Sequence, residues 1–180
     1  MKISETRLPG VLLIEPRLFG DSRGYFLETF SAERYREQAG IDLPFVQDNL
    51  SRSRRGVLRG LHSQRVHPQG KLVRVARGVV FDVAVDIDPD SPNFGVWTGA
   101  TLSDENQHQL WIPPGYAHGF AVLSEVADFE YKCTDYYHPE DEIGVVWDDP
   151  DLAIPWPVSA PEISSKDRAL PRLRELKAAP

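Results

Sequence analysis

The stretch KLVRVARGVVFDVAVDI, residues 71–87, decides the fold class of this 180-residue chain. Apolar residues alternate with polar or small ones in 71–76 and again in 81–87, and Arg77-Gly78 separates the two runs. A period of two residues is typical of β-strands, and the Arg-Gly pair indicates a turn. The stretch is therefore predicted to form a hairpin in the middle of a β-sheet.

Similar short runs lie on both sides of this stretch. Before it, VLLIEP (11–16) and GYFLETF (24–30) flank the turn FGDSRG, and FVQDNLS (45–51) follows. After it, strands are predicted at 95–102, 108–112, 119–123 and 128–134. Fifteen prolines and thirteen glycines keep the elements short. This spacing predicts an all-β fold, a sandwich or barrel of the jelly-roll type.

Two segments depart from the strand pattern. Residues 31–40 predict a short peripheral helix, with Ser31 as the N-cap and Gly40 just past the end. From about Trp147 the sequence changes to short turns containing Pro and Trp. Residues 147–180 are therefore predicted to be an irregular tail wrapped on a single domain that spans residues 1–180.

Charge and composition narrow the range of partners. The chain has 27 acidic against 20 basic residues, which opposes long-range attraction to nucleic acid or to an anionic membrane. No apolar run approaches the roughly 18 residues of a membrane span, and the N-terminus lacks the apolar core of a signal peptide. Cys133 is the single cysteine, which excludes an internal disulfide. A soluble cytoplasmic protein is expected, with any anionic ligand small and bound by a local group of cations.

The segment GVLRGLHSQRVHPQGK, residues 56–71, is the first candidate for chemistry. It places His62 among cations and three glycines, and glycine lets the backbone approach a ligand closely. A neutral imidazole can accept a proton near pH 7. His62, in a predicted loop, is therefore a candidate base.

The cations of this segment are candidates for binding a diphosphate. Arg59 and Lys71 each lie at a predicted strand boundary beside the His62 loop. Arginine forks and lysine point charges are the usual partners of phosphate. Strand alternation alone does not place Arg59 on the same face as His62, so a bend or bulge at Gly60 is required. The candidate diphosphate ligands are Arg23, Arg59, Lys71 and Lys166.

A metal centre is disfavoured by the histidine pattern. WIPPGYAH, residues 111–118, contains P-x-G-x-x-H, which resembles the second motif of the cupin superfamily. Metal-binding cupins also supply H-x-H, and here the corresponding residues are His62-Ser63-Gln64. The histidines expected to be ordinary, partly buried side chains are His67, His108 and His138.

The segment DFEYKCTDYY, residues 128–137, contributes aromatic residues. By period two, Phe129, Tyr131 and Cys133 share one face. On the residues alone, a tyrosine on an inward face is ordinarily a core residue, and Cys133 is most simply a small buried apolar side chain.

FGDSRGYFLE, FVQDN, GVLRGLH, QLWIPPGYAHGF, WDDP and SSKD are among ten blocks of sequence that occur here in one order. Together these blocks resemble the dTDP-4-dehydrorhamnose 3,5-epimerase family, a metal-free branch of the cupin-like jelly rolls. The resemblance implies epimerisation at C3 and C5 of dTDP-4-dehydro-6-deoxy-glucose without a cofactor. Both carbons flank the C4 ketone, so loss of either proton gives an enolate.

The resemblance also implies roles for individual residues. His62 matches the base, Asp167 its orienting carboxylate, Tyr131 the proton donor and Lys71 the residue beside the C4 oxygen. Tyr137 matches the ring that stacks on thymine. The implied substrate-binding residues are Arg23, Glu28, Gln47, Asp48, Asn49, Arg59, Lys71, His118, Tyr137, Glu142 and Lys166. The family forms homodimers by exchanging strands, which implies that Arg23 and Glu28 come from the partner subunit.

One residue departs from the family pattern, and three other functions remain open. Ser63 follows the base where the family commonly has an aromatic residue, which bears on how tightly the sugar is held.

The alternatives are an epimerase that inverts only C3 or only C5, a metal-dependent dioxygenase or isomerase, and a non-catalytic module that binds sugar nucleotides. The presence of His62 and Tyr131 disfavours the last.

Overall fold

The computed structural model describes residues 1–178, and most of its regular structure is antiparallel β-strand, which confirms the predicted all-β class. The strands are β1 (Lys2–Glu5), β2 (Leu12–Glu15), β3 (Leu18–Asp21), β4 (Gly24–Leu27), β5 (Gln47–Arg54), β6 (Leu58–Gln64), β7 (Lys71–Arg77), β8 (Val79–Asp86), β9 (Trp97–Ser103), β10 (Gln109–Ile112), β11 (Tyr116–Val122), β12 (Val126–Cys133) and β13 (Glu142–Gly144). The helices are α1 (Ala32–Ala39), α2 (Ser165–Arg168) and α3 (Leu173–Ala178), with a 3-10 turn at Pro139–Asp141. No helix within this range is long and apolar enough to cross a membrane.

Two sheets pack face to face. One has six strands in the order β1-β2-β10-β7-β12-β5, and the other has five in the order β13-β6-β11-β8-β9. Apolar side chains from both sheets form one buried cluster between them. Its members include Val73, Val75, Val80, Leu110, Ile112, Phe120 and Phe129.

The hairpin predicted for residues 71–87 is wrong, although both of its strands are present. β7 pairs with β10 and β12 in one sheet, whereas β8 pairs with β11 and β9 in the other. The chain changes sheet at Gly78, where φ is 86° and an added Cβ would lie 2.2 Å from the Val126 carbonyl oxygen. Alternation identifies a strand but not its partner, so the sequence pattern could not distinguish a hairpin from a crossing between sheets.

The outward face of β8 is covered by the end of the chain. Val83 and Val85 are fully buried against Leu152 and Leu173, in a second apolar cluster. Residues from 147 onward therefore pack on the outer surface of the five-stranded sheet. Residues 179 and 180, the end of the predicted tail, lie outside the described residues.

The N-terminal region contains two more strands than predicted, β1 and β3. β2 belongs to the six-stranded sheet, while β3 and β4 form a separate two-stranded hairpin. The predicted helix is confirmed: the Ser31 side chain accepts a hydrogen bond from the Arg34 amide, and Gly40 closes α1 with a φ of 68°. The buried ring of Tyr35 fixes α1 to the sheet.

The segment around His62 is a strand and not the predicted loop. β6 lies inside the five-stranded sheet, between β13 and β11. His62 lies opposite His118, but Arg59 lies opposite Phe120, so three steps along β6 match two along β11. This irregularity is the bulge that the sequence required at Gly60. Because of it, Arg59 and His62 face the same side.

Gly60→Ala should destabilise the fold by about 3 kcal/mol or more. Gly60 has a φ of 121°, and a Cβ would lie 2.6 Å from the Gly119 Cα. The control is Gly40→Ala, where φ is also positive but no atom lies within 4 Å of the added Cβ, and the expected cost is about 1 kcal/mol. Denaturant unfolding compares the two, and equal losses would contradict this account of the bulge.

Candidate active site

A cavity of about 630 Å³ opens between the two sheets, a size typical of small-ligand sites. Most of the predicted site residues line it. They are Gln47, Asn49, Arg59, His62, Lys71, His118, Tyr131, Tyr137, Glu142, Lys166 and Asp167. Side chains from β5, β7 and β12 form one wall, and those from β6 and β11 form the other.

Strand alternation explains which residues of β5 reach the cavity. Gln47, Asn49 and Ser51 line it, whereas Asp48 points to the opposite face and forms an ion pair with Lys132 at 3.0 Å. Within one chain, Asp48 is therefore not brought to the site.

Two further predicted residues lie outside the cavity. Arg23 is exposed at the turn between β3 and β4, where it pairs with Asp21 at 2.5 Å. Glu28 follows β4 and pairs with Arg34 at 3.4 Å. One chain alone does not bring these two residues to the cavity.

A histidine–aspartate pair joins β6 to the C-terminal segment. His62 Nε2 lies 2.9 Å from Asp167 Oδ1, and the Gly60 amide donates to Asp167 Oδ2 at 3.1 Å. The Ser164 side chain caps α2 by accepting a hydrogen bond from the Asp167 amide. Burial alone would raise the pKa of Asp167, but the hydrogen bond and charge of His62 and the Gly60 amide lower it below the ordinary value. Asp167 is therefore a buried carboxylate held in its ionised form.

The opposite wall carries an amine and a phenol. Burial lowers the pKa of Lys71, opposed by the charges of Cys133, Asp82 and Glu142. Both side chains line the cavity, and neither the Lys71 amine nor the Tyr131 hydroxyl makes a side-chain hydrogen bond among residues 1–178. Burial also raises the pKa of the Tyr131 phenol, so it stays protonated at neutral pH. Both groups are thus left free for a ligand.

Three polar side chains form a hydrogen-bonded group at the cavity wall. Glu142 accepts hydrogen bonds from the Tyr137 hydroxyl at 3.0 Å and from Lys166 at 2.9 Å. Burial opposes the charge of Glu142, but Lys166 and His62 lower its pKa below the ordinary value. Tyr137 is about half exposed, so its ring is available for stacking.

Arg59 is oriented by a neutral partner. Its Nε and Nη2 donate to the Ser53 hydroxyl at 3.1 and 3.0 Å. The N–H groups of Nη1 take no part in these two hydrogen bonds. A guanidinium without a carboxylate partner is suited to an anionic ligand.

Asp82 is a site residue that the sequence analysis missed. It is fully buried, and its Oδ2 lies 2.8 Å from His118 Nε2. The other oxygen, Oδ1, has no hydrogen-bond partner among the described residues. The signal was present in the sequence: Asp82 is a lone carboxylate between Val80 and Ala84, which face the other sheet.

The side chain of Gln64 is hydrogen-bonded to backbone groups. Its amide nitrogen donates to the carbonyl oxygens of His67 and Tyr136, and its oxygen accepts from the His138 amide. Its amide is thus used to hold the surrounding loops. Among residues 1–178, the one three-residue group with metal-ligand spacing, His67, Asp135 and His138, lies outside the cavity lining.

Solved structures that resemble this one are nucleotide-sugar epimerases. A dTDP-6-deoxy-D-glucose-3,5-epimerase from Legionella pneumophila, solved with dTDP-4-keto-L-rhamnose, has a TM-score of 0.93 and 55% identity, covering 97% of this chain and 96% of that one. A 3'-monoepimerase from Streptomyces bikiniensis, solved with dTDP-quinovose, has a TM-score of 0.89 and 34% identity over 94% and 86% of the two chains. The fold is thus the cupin-like jelly roll of these epimerases, as predicted.

The family is defined more narrowly by sequence. The model of the dTDP-4-dehydrorhamnose 3,5-epimerase family matches residues 5–175. The dTDP-4-dehydrorhamnose 3,5-epimerase of Pseudomonas aeruginosa is 56% identical over 169 residues, which is 93% of each chain. This chain belongs to the dTDP-4-dehydrorhamnose 3,5-epimerase family.

Lys71→Met should stabilise the protein by about 1 kcal/mol at pH 7. The folded pKa of Lys71 lies below its ordinary value of 10.5, so its charge opposes folding at neutral pH. Between the folded pKa and 10.5 the unfolded chain binds the extra proton, so wild-type stability rises with pH across that interval, and the advantage of the variant is lost as the pH approaches about 10.5. Denaturant unfolding of the wild type and the variant at pH 7 and at about pH 10.5 measures this difference in stability.

Lys132→Met is the matched control, since Lys132 is paired with Asp48 at the surface. Its effect should stay within about 0.5 kcal/mol. A Lys71→Met protein less stable than the wild type at pH 7 would contradict the account of a desolvated amine.

Proposed function

We propose that this chain epimerises C3 and C5 of dTDP-4-dehydro-6-deoxy-D-glucose, giving dTDP-4-dehydro-L-rhamnose, without metal or cofactor. The observation that carries the proposal is that His62 and Tyr131 lie on facing sheets, at opposite walls of one cavity. Inversion requires that a proton leave one face of a carbon and arrive at the other. The relatives with this reaction in their names support the choice of substrate.

His62 acts as the base. Its Nε2–H donates to the ionised Asp167, so the lone pair on Nδ1 accepts the proton from C3 or C5. Asp167 fixes this tautomer and stabilises the imidazolium that forms. The electrons of the broken C–H bond move to the C4 oxygen as an enolate.

Lys71 and Tyr131 complete the reaction from the other wall. The Lys71 ammonium stabilises the negative C4 oxygen, an effect worth roughly 10²–10³ in rate per donor at comparable sites. The neutral Tyr131 phenol gives its proton to the opposite face of the carbon. Exchange with solvent then returns a proton to the tyrosinate and removes one from His62, so the net change is isomerisation.

The nucleotide is bound by the remaining side chains. Arg59 and Lys166 supply charge for the diphosphate, and Tyr137 supplies the ring that stacks on thymine. Gln47, Asn49, His118 and Glu142 are proposed to hydrogen-bond the substrate, and Asp48 to act through the ordering of β5. Ser63 is buried in the cavity lining, and its small side chain leaves room beside the sugar.

Proton NMR in D2O tests the function. With dTDP-4-dehydro-6-deoxy-D-glucose and chelator-treated protein, the C3 and C5 hydrogen signals should both disappear, and both centres of the product should be inverted. His62→Ala should slow this by roughly 10²–10⁴. Exchange at one carbon alone would instead support a single-carbon epimerase, the activity in the name of the Streptomyces relative. Activity lost on chelation would contradict the metal-free proposal.

The active enzyme is proposed to be a homodimer with composite sites. Phe26 and Tyr25 on the β3–β4 hairpin are 69% and 56% exposed. Their side chains form an apolar surface that a monomer would leave in water. Arg23 lies at the tip of the hairpin and Glu28 at its end, so docking the hairpin on a second copy would carry both to that copy's cavity.

We further propose that residues 147–180 belong to the same folding unit as the sandwich, since Asp167 bonds to β6. The reducing cytoplasm is the proposed location, in keeping with the free, buried Cys133.

Phe26→Asp should convert the dimer to a monomer and reduce activity, because a charge at the interface is desolvated without a partner. Light scattering coupled to size-exclusion chromatography measures the mass. Val66→Asp is the control: Val66 is 70% exposed but lies in the loop after β6, so the mass should not change. A dimer that persists in Phe26→Asp would place the interface elsewhere.

A further inference from the structure

A group of side chains beside the cavity has no part in the proposed reaction. This rim cluster consists of His67, Asp135 and His138, with Glu140 next to it. One donor atom from each of the first three lies within 4.8 Å of the others. His67 Nδ1 is 3.7 Å from Asp135 Oδ2, and His138 Nδ1 is 3.6 Å from Glu140 Oε1.

These separations are too long for hydrogen bonds, and the donor atoms of His67, Asp135 and His138, all within 4.8 Å of one another, lie close enough to approach one metal ion. Zinc bonds to nitrogen and oxygen at about 2.0–2.2 Å, which places two ligands of a tetrahedral site about 3.4 Å apart. The two imidazole rings are stacked, with centroids 4.3 Å apart and planes inclined by 24°. Among residues 1–178, the polar contacts of their ring nitrogens are the two long ones to Asp135 and Glu140, so the nitrogens are free to coordinate.

Buried glutamines fix the backbone of the rim cluster. Gln64, which is 5% exposed, bonds to the carbonyl oxygen of His67 and to the amide of His138. Gln69, which is 9% exposed, donates to the carbonyl oxygen of Asp135. The positions of all three Cα atoms are thereby set before any ion binds, which reduces the entropy lost on binding.

The Asp135 carboxylate is also oriented. Its Oδ1 accepts a hydrogen bond from the Tyr136 amide at 2.7 Å, and its Oδ2 points to His67. The His67 and His138 side chains are 49% and 33% exposed, so their rings can turn out of the stack toward a common ion.

We propose that the rim cluster binds one divalent transition-metal ion, with His67, His138 and Asp135 as ligands and Glu140 or water in the fourth position. Imidazole with carboxylate suits Zn²⁺ and Co²⁺, whereas Mg²⁺ and Ca²⁺ prefer oxygen ligands alone. The ion acts as a clamp between the loop after β6 and the loop after β12. It takes no part in proton transfer, so the site is independent of the proposed reaction.

Titration calorimetry of the tag-free protein with Zn²⁺, and the visible absorption of added Co²⁺, test the site. The wild type should bind one ion per chain, and Zn²⁺ should raise its Tm because the ion binds the folded state. The double variant His67→Ala/His138→Ala should bind at least tenfold more weakly and show no rise in Tm. His108→Ala, which removes a histidine on another surface, should behave like the wild type.

Circular dichroism without metal establishes that the double variant is folded, since both histidines are partly exposed. Binding that survives loss of both rim histidines would overturn the proposal. So would binding that is lost in His62→Ala, because the ion would then occupy the cavity. Absence of stoichiometric binding by the wild type would overturn it as well.

Discussion

The rest of the site depends on two hydrogen bonds made by the Asp167 carboxylate. One of its oxygens bonds to the His62 imidazole, and the other accepts from the Gly60 amide at the bulge of β6. The bulge turns Arg59 and His62 toward the same cavity, and the carboxylate holds the bulge and the imidazole together. Because Asp167 lies on α2, the C-terminal segment that covers the outer sheet also completes the inner site. The His62–Asp167 pair therefore requires the C-terminal segment to be in place.

The two-sheet architecture explains why a sandwich suits this chemistry. Each wall presents side chains to the cavity from one direction only, so the His62 imidazole and the Tyr131 phenol face the cavity from opposite sides. Enclosure also has an energetic consequence. Burial raises the pKa of Tyr131 and lowers that of Lys71, which keeps the phenol protonated but places an amine where its charge opposes folding. A buried amine whose charge lowers the stability of the fold is expected at a site that stabilises charge in a bound ligand.

Alternation, caps and glycines predicted the all-β class, the helix after Ser31 and the need for a bulge at Gly60. The pairing of β7 and β8 was not predictable, since period two determines which faces are apolar but not which strand lies alongside. The strand β6 was predicted as a loop for a different reason. The bulge interrupts the alternation of apolar and polar residues around His62, so the strand pattern is hidden. Most of the expected site residues meet in one cavity. Asp82 was missed because a single acidic residue in a strand ordinarily faces solvent, although its apolar neighbours Val80 and Ala84 indicated burial, and its hydrogen bond to His118 confirms it.

The role of the Asp167 carboxylate is tested by the rate of solvent deuterium entry at C3 and C5 with Asp167→Asn, alongside calorimetric binding of dTDP. The amide is nearly the same size but cannot hold the imidazolium as an ionised carboxylate does. The account predicts that exchange at both carbons slows by roughly 10²-fold or more while dTDP affinity stays within a few-fold of the wild type. Exchange at the wild-type rate would show that the carboxylate from the C-terminal segment does not support the base, and would contradict the account.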